Sequence, residues 1–563
     1  MPDLTYDRFY RYDELTALLH AFAKEYPHLV RLESIGQSWE GRDLWLVQVT
    51  QFGTGADTAK PALWIDGNIH ASELVPSTAC LHFLHTLVTG YGSDQTITRC
   101  LDRRSFYICP RLNPDGAELA LADRPQILRS GSRPYPHYPI APVGLREADI
   151  DGDGRILLMR LPDPNGLWKA AEEDPRLLVR REPTEEGGQY YRVLPEGLLE
   201  DDDRDLIRVQ PPIAGLDFNR NFPADWRPEH EQVGAGDYPA SEPEVRAAVD
   251  FIDQHRNLIG AISFHTYSGV LLRPYSHKPD DAFPTEDLRV YQRLGDEGYR
   301  QTGYPACSAY HDFRYDPKET VSGVFDDWAY DQQGLFSWTV EIWSPQRAAG
   351  IEQYDWIDWF REHPIEDDLK LLRWNDETLH GEGFVNWYPF EHPQLGRVEL
   401  GGWDHLHTWR NPPFSALEAE VARFPEWLVW QALIAPELGI RRVGAESLGQ
   451  DLWRLTLVVE NRGWLPTAVT QKALERKRVQ PVVAELVLPE DAVLIQGDRQ
   501  QDLGQLEGRA YKGVMPSSDP STDRAKAVWI VRAEAGNQVR LTARHDRAGQ
   551  VSSSVMLGEA TSS

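Results

Sequence analysis

The apolar run Pro61-Ala62-Leu63-Trp64-Ile65-Asp66-Gly67-Asn68-Ile69 ends directly in His70-Ala71-Ser72-Glu73. A short apolar run closed by Gly and Asn reads as a buried strand. An imidazole and a carboxylate three positions apart therefore stand just beyond a strand end. Similar runs at residues 44–49, 105–109, 260–264 and 337–343 alternate with helical patterns at 12–25, 75–87 and 241–255. The last of these opens Ser241-Glu242-Pro243-Glu244, an N-cap followed by an acidic residue and a proline in the first turn. This alternation predicts an α/β domain, and open α/β sheets gather their sites at strand ends.

One His and one carboxylate make half of a zinc site. A catalytic Zn²⁺ usually takes three protein ligands and keeps one position for water, and His₂Glu is one of the sets in use. A third ligand, preferably His, is expected further along. His265, in Phe264-His265-Thr266-Tyr267-Ser268, is a candidate.

Further segments follow in a fixed order: Asn113-Pro114-Asp115-Gly116, Phe218-Asn219-Arg220-Asn221-Phe222-Pro223, the stretch 263–268, and Trp338-Thr339-Val340-Glu341-Ile342-Trp343. With an N-terminal stretch from 10–15 through 34–42, they resemble the zinc carboxypeptidase family of the carboxypeptidase A/B type, over roughly residues 8–135 and 215–350. The resemblance implies a mixed-sheet carboxypeptidase domain in which His70, Glu73 and His265 hold zinc. Zinc lowers the pKa of its water and polarises the scissile carbonyl. A base that does not ligate the metal must then move the proton, and Glu341 fits. A lone carboxylate inside so apolar a strand is costly unless paired or functional.

An exopeptidase must also recognise a free α-carboxylate, which a guanidinium pairs best. Asn219 and Arg220 match the family's clamp. The family's oxyanion arginine falls on Arg129, with Arg124 and Arg133 as competitors. The family's mobile tyrosine would fall on Glu319, so Tyr315 serves only if the loop is longer here, and Tyr304 and Tyr310 lie nearby. The stretch Phe325-Asp326-Asp327-Trp328 resembles the B-type segment, in which an acid at the position of Asp326 selects C-terminal Lys or Arg. The alternative is a loop-capping aspartate.

The interval between Arg129 and Asn219 exceeds the family's, and residues 137–215 are expected to be an insertion forming one wall of the cleft. Within it, Asp149-Ile150-Asp151-Gly152-Asp153-Gly154 repeats the first half of an EF-hand loop, but position twelve is Arg160 instead of a bidentate Glu. A full EF-hand is excluded. A Ca²⁺ loop of Asp149, Asp151 and Asp153 completed by Asp163 or the run 201–203 stays open beside a plain acidic turn.

Beyond residue 350 a stretch rich in Trp, His and Pro precedes a helical pattern at 415–434 and then strand-like runs at 452–459, 480–488, 527–533 and 538–543. His405 and His407 read as core or hydrogen-bonded side chains rather than ligands. The chain of 563 residues is expected to divide into a catalytic domain, 1–435, and an immunoglobulin-like β-sandwich, 436–563.

A net charge of −29 argues against nucleic acid or anionic membrane as partner. The four cysteines form neither a disulfide framework nor a zinc cluster. With no basic-then-apolar leader and no run of apolar residues long enough to span a bilayer, the sequence predicts a cytoplasmic protein acting on peptide C-termini. Oligomeric state is not legible. An amidase or deglutamylase of the same fold, and a peptide-binding pseudoenzyme, are the alternatives.

Overall fold

A computed structural model describes residues 3–136, 144–200, 206–210, 214–510 and 519–558. Its centre is an eight-stranded mixed sheet of β1 (Val30–Gln37), β2 (Asp43–Val49), β3 (Ala62–Gly67), β4 (Ser105–Cys109), β5 (Leu258–Thr266), β6 (Val270–Arg273), β7 (Ala306–Ser308) and β8 (Phe336–Ile342). The spatial order is β1-β2-β4-β3-β5-β8-β6-β7. Strands β4, β3, β5 and β8 run parallel in the middle, and antiparallel neighbours flank them on both sides.

Every residue of β3, β4 and β5 is buried, as helices on both faces require. Along β3, Leu63 and Ile65 join one apolar cluster and Ala62 and Trp64 the other, so successive side chains feed opposite faces. The helices Tyr12–Glu25, Val75–Gly90 and Pro243–Gln254 form where the pattern predicts them. The helical pattern at 415–434 is instead two helices, Phe414–Val421 and Pro425–Leu433. Pro425 cannot donate to the preceding turn and so starts a new helix.

The insertion shares its main sheet with a distant part of the chain. Its strands Leu158–Pro162, Tyr191–Pro195, Trp168–Ala170 and Leu178–Arg180 complete a six-stranded sheet only with the later hairpin Phe384–His392 and Gly396–Trp403. The Trp-rich stretch thus supplies strands as well as packing. C-terminally, two four-stranded sheets enclose one core, with Leu455, Leu457 and Trp529 meeting Ala484, Leu486 and Leu541. This is a β-sandwich. All four cysteines are buried and free. No helix among the described residues is long and apolar enough to cross a membrane.

Arg547 locks the sandwich to the sheet. It is buried, and its guanidinium donates to the carbonyls of Gln333 (2.8 Å), Gly334 (2.9 Å) and Ala468 (3.1 Å), the first two just ahead of β8. Burial pushes its pKa down to about 9. Arg547→Ala leaves the Gln333 and Ala468 carbonyls without this donor, while the Gly334 carbonyl keeps the Thr470 hydroxyl, and the urea midpoint should fall by the equivalent of about 2–4 kcal/mol. An unchanged midpoint would show the contact to be incidental.

Candidate metal centre and substrate cleft

The loop after β3 owes its shape to two residues. A Cβ on Gly67 would lie 2.8 Å from the Pro76 backbone, so only glycine lets the strand approach the following helix. Asn68 takes the left-handed conformation (φ 61°), and its side-chain amide donates to the carbonyls of His70 (2.7 Å) and Glu73 (2.8 Å). The start of the next helix is capped from far away: Asn411 Oδ1 accepts from the Leu74 and Val75 N–H groups, and Asn411 Nδ2 donates to the Ser72 carbonyl. His70 and Glu73 are thereby fixed in a buried loop.

His265, near the end of β5, joins them from the neighbouring strand. Its Nδ1 lies 3.1 Å from His70 Nδ1 and 3.3 Å from Glu73 Oε2, while His70 Nδ1 is 2.9 Å from Glu73 Oε1. All three residues are buried, and one donor atom from each lies within 4.8 Å of the others. The outward nitrogens are engaged too. His70 Nε2 is 3.1 Å from Asp217 Oδ1, and His265 Nε2 is 3.1 Å from Ser263 Oγ. Ser263 in turn donates to Asp66, which also accepts from the Trp64 indole. Such outer partners hold a ligating imidazole in one tautomer and orientation. The donor set fits a zinc ion in type, number and arrangement.

Glu341 stands directly beside His265 in the β5–β8 register. Its Oε2 atom is buried and has no hydrogen-bond partner among the described residues. Burial, helped by the Glu73 charge and opposed by His265, Arg129 and Arg410, pushes its pKa up to about 7. Burial also opposes ionisation of Glu73 and Asp217. The two imidazoles outweigh it at Glu73, and Arg129, Arg220 and His70 do so at Asp217, leaving both carboxylates well below their usual range.

Arg129 Nε donates to Asp217 (3.0 Å), and its NH1 lies 3.5 Å from Glu73. Arg133 is instead paired with Glu242, and Arg124 is on the surface. Arg220 NH1 donates to the Asn219 carbonyl, and Asn219 Oδ1 accepts from the Phe325 N–H, tying the Asn219-Arg220 turn to the helix Phe325–Asp331. Arg129, Asn219 and Arg220, with His70, His265 and Glu341, border a cavity of about 130 Å³ that Asp326, Thr339, Leu272 and Val324 also line. Tyr315 and Glu319 both border it, whereas Tyr304 is buried with its hydroxyl on Glu420. Burial, and then the charge of Asp327, pushes Asp326 up to about 8. Asp327 itself is held by the Ser276 N–H and by His277.

Three site residues are absent from the sequence reading. Asp217 reads as a turn residue before Phe218-Asn219, and Asp66 as a strand-end aspartate. Arg410 has no local signal. It closes the helical turn His405–Arg410 and brings NH1 to 3.5 Å from Glu73 Oε1. His405 stacks on Trp409 and His407 bonds Asp404, and neither belongs to the His70, Glu73 and His265 group.

Asp149, Asp151 and Asp153 do converge. Asp149, however, accepts the N–H groups of Gly152 and Gly154, Asp151 accepts the Tyr388 hydroxyl, and Asp163 is paired with Arg192. The run 201–203 lies outside the described residues.

The model of the zinc carboxypeptidase family matches residues 15–359. The chain belongs to the zinc carboxypeptidase family. A second model, a domain of unknown function, matches 437–556, the β-sandwich. Carboxypeptidase A1 of Mus musculus is 26% identical over 350 residues, covering 60% of this chain and 63% of the relative. Carboxypeptidase A6 of Mus musculus is 26% identical over 286 residues, 49% and 48% of the two chains. The chain thus spans less than two thirds of the length of these relatives. Among solved structures, the carboxypeptidase A from Helicoverpa armigera aligns with a TM-score of 0.41 at 18% identity, over 67% of this chain and 75% of that one. Zinc is the metal this family implies, and the His70, Glu73 and His265 donors are the group that suits it.

Proposed function

We propose that the chain is a zinc-dependent metallocarboxypeptidase that removes the C-terminal residue of peptides, with a preference for Lys or Arg there. The catalytic unit is residues 1–435, and 436–563 form an accessory domain. The observation that carries the reading is the unpartnered Oε2 of Glu341 beside a complete His₂Glu donor set. A module that only bound peptides would gain nothing from so costly a buried carboxylate.

Zinc held by His70, Glu73 and His265 would supply a polarised carbonyl and a more acidic water. The chain's own groups do the rest. Glu341 takes a proton from the attacking water and delivers it to the departing amine. Arg129 faces the charge that builds on the carbonyl oxygen, and Asp217 orients it. Arg220, steadied by Asn219, pairs the substrate's α-carboxylate. Asp326, which lines the same cavity, meets the side chain of the residue to be removed.

Metal analysis together with a peptide panel differing only in the C-terminal residue tests this reading. A buried carboxylate facing an apolar side chain opposes binding, so Asp326→Ile should turn a preference for Lys or Arg into one for Leu or Phe, with zinc retained. The pH dependence has a definite sign. Only ionised Asp326 pairs a cation, its pKa is raised to about 8, and the substrate lysine stays charged until about pH 10. The Lys-over-Leu ratio of kcat/KM should therefore rise between about pH 7 and 9 and flatten before the substrate lysine deprotonates. Taking the ratio removes titrations that both substrates share. A ratio that is flat, or an unchanged ranking in Asp326→Ile, makes Asp326 a structural residue.

A further inference from the structure

The helix Phe325–Asp331, whose first turn carries Asp326, is held at both ends. At its start Asn219 Oδ1 accepts the Phe325 N–H. Its end is gripped by the C-terminal sandwich. Between the sandwich strands Leu452–Asn461 and Val483–Val487 the chain leaves the two sheets and forms a short helix, Gln471–Glu475. Arg476, the next residue, donates Nε to the Asp331 carbonyl (2.9 Å) and NH2 to the Asp331 carboxylate, and Lys472 Nζ lies 3.5 Å from that carboxylate. Burial opposes ionisation of Asp331, but Lys278, Arg476 and Lys472 outweigh it and hold the carboxyl below its usual range.

The same segment covers the turn that follows the helix. The Thr470 hydroxyl donates to the Gly334 carbonyl (2.9 Å). Gly334 has φ 65°, and a Cβ there would lie 2.5 Å from the Ala473 Cα, so only glycine allows so close an approach. The Gln471 N–H donates to Asp287 (2.9 Å), which also accepts the Tyr330 hydroxyl (2.8 Å). Asp331 has one more partner, the Tyr275 hydroxyl (3.1 Å), and Tyr275 immediately precedes Ser276, which lines the cavity. Through one carboxylate the sandwich thus reaches two sides of the cavity, the helix with Asp326 and the segment with Ser276. Residues 470–476 lie outside the family match at 15–359.

We propose that the C-terminal sandwich is a working part of the substrate cleft: its segment 470–476 positions the helix Phe325–Asp331, and with it the wall that meets the side chain of the substrate's last residue. Arg476 is the main positioning residue. This rests on the peptidase reading above and gives the accessory domain a role in it.

The test is Arg476→Ala in the full chain, beside Arg476→Lys, Asp331→Asn and Arg478→Ala. The Arg476 side chain is 43% exposed, so its loss leaves no buried cavity. Arg478 pairs with Asp253 of the helix Pro243–Gln254 and serves as the control from the same domain contact. In Arg476→Ala, KM for a peptide ending in Lys should rise about three- to thirtyfold, the range for a side chain that acts through a packed network. KM for the same peptide ending in Gly, which places no side chain against the wall, should change by less than about twofold. Asp331→Asn should reproduce this split, and the double variant should add little to either single one, as for two partners in one contact. Arg476→Lys should recover part of the loss, and Arg478→Ala should show none. Amide hydrogen exchange at 325–332 of the zinc-loaded protein should quicken in Arg476→Ala while that at 70–76 does not. Equal losses on the Lys and Gly peptides, an equal effect of Arg478→Ala, or unchanged exchange at 325–332 would overturn the proposal. If the wild type cleaves neither peptide, the peptidase reading fails, and exchange at 325–332 alone decides: quickening in Arg476→Ala but not in Arg478→Ala upholds the positioning, and no difference overturns it.

Discussion

Glu341→Gln should retain zinc and lose about 10²–10⁴-fold in kcat, the range expected when a positioned general base is removed. The substitution keeps the shape of the side chain and its place beside His265, so the ligand set is undisturbed. What disappears is the capacity to accept a proton. His70→Ala is the contrasting case, since it removes a ligand and should release the metal. If Glu341→Gln keeps more than about a tenth of wild-type turnover, another group carries the proton and the assignment fails.

Arg220→Ala should raise KM for free-acid peptides by roughly 30- to several-thousandfold, the equivalent of about 2–5 kcal/mol for a lost charge-assisted pair. Peptides ending in an amide offer no such charge and should be nearly unaffected. The split between the two substrates separates lost recognition from general damage, which would depress both. Arg220 sits at the cavity with its NH1 on the Asn219 carbonyl, and that turn is fastened to the helix carrying Asp326. Comparable losses on acid and amide would mean that Arg220 supports the fold of the cleft rather than the substrate.

Much of this site can be read from the sequence because its residues lie in short segments with a strong local signal. Buried parallel strands are apolar along their whole length, so β3, β4 and β5 stand out, and the residues that end them mark the site. His70, Glu73 and Glu341 are conspicuous for the same reason, as polar groups in or beside apolar runs. Contacts across long separations leave no such trace. Asn411 caps a helix that starts at Val75, and Arg410 reaches Glu73, but both belong to a stretch whose local composition suggests only packing. The insertion's sheet was hidden likewise, because its missing strands come from 384–403. The break at Pro425 escapes the sequence reading because the apolar period on either side of it masks the proline's effect.

The account turns on a metal centre that reads a free C-terminus. The most direct test is kcat/KM of the zinc-loaded wild type on one peptide as its free acid and as its C-terminal amide, with and without a chelator. The account predicts that the acid is cleaved roughly 30-fold or more faster than the amide. It also predicts that chelation abolishes cleavage and that added zinc restores it. Equal cleavage of acid and amide, or cleavage that survives removal of the metal, would contradict it.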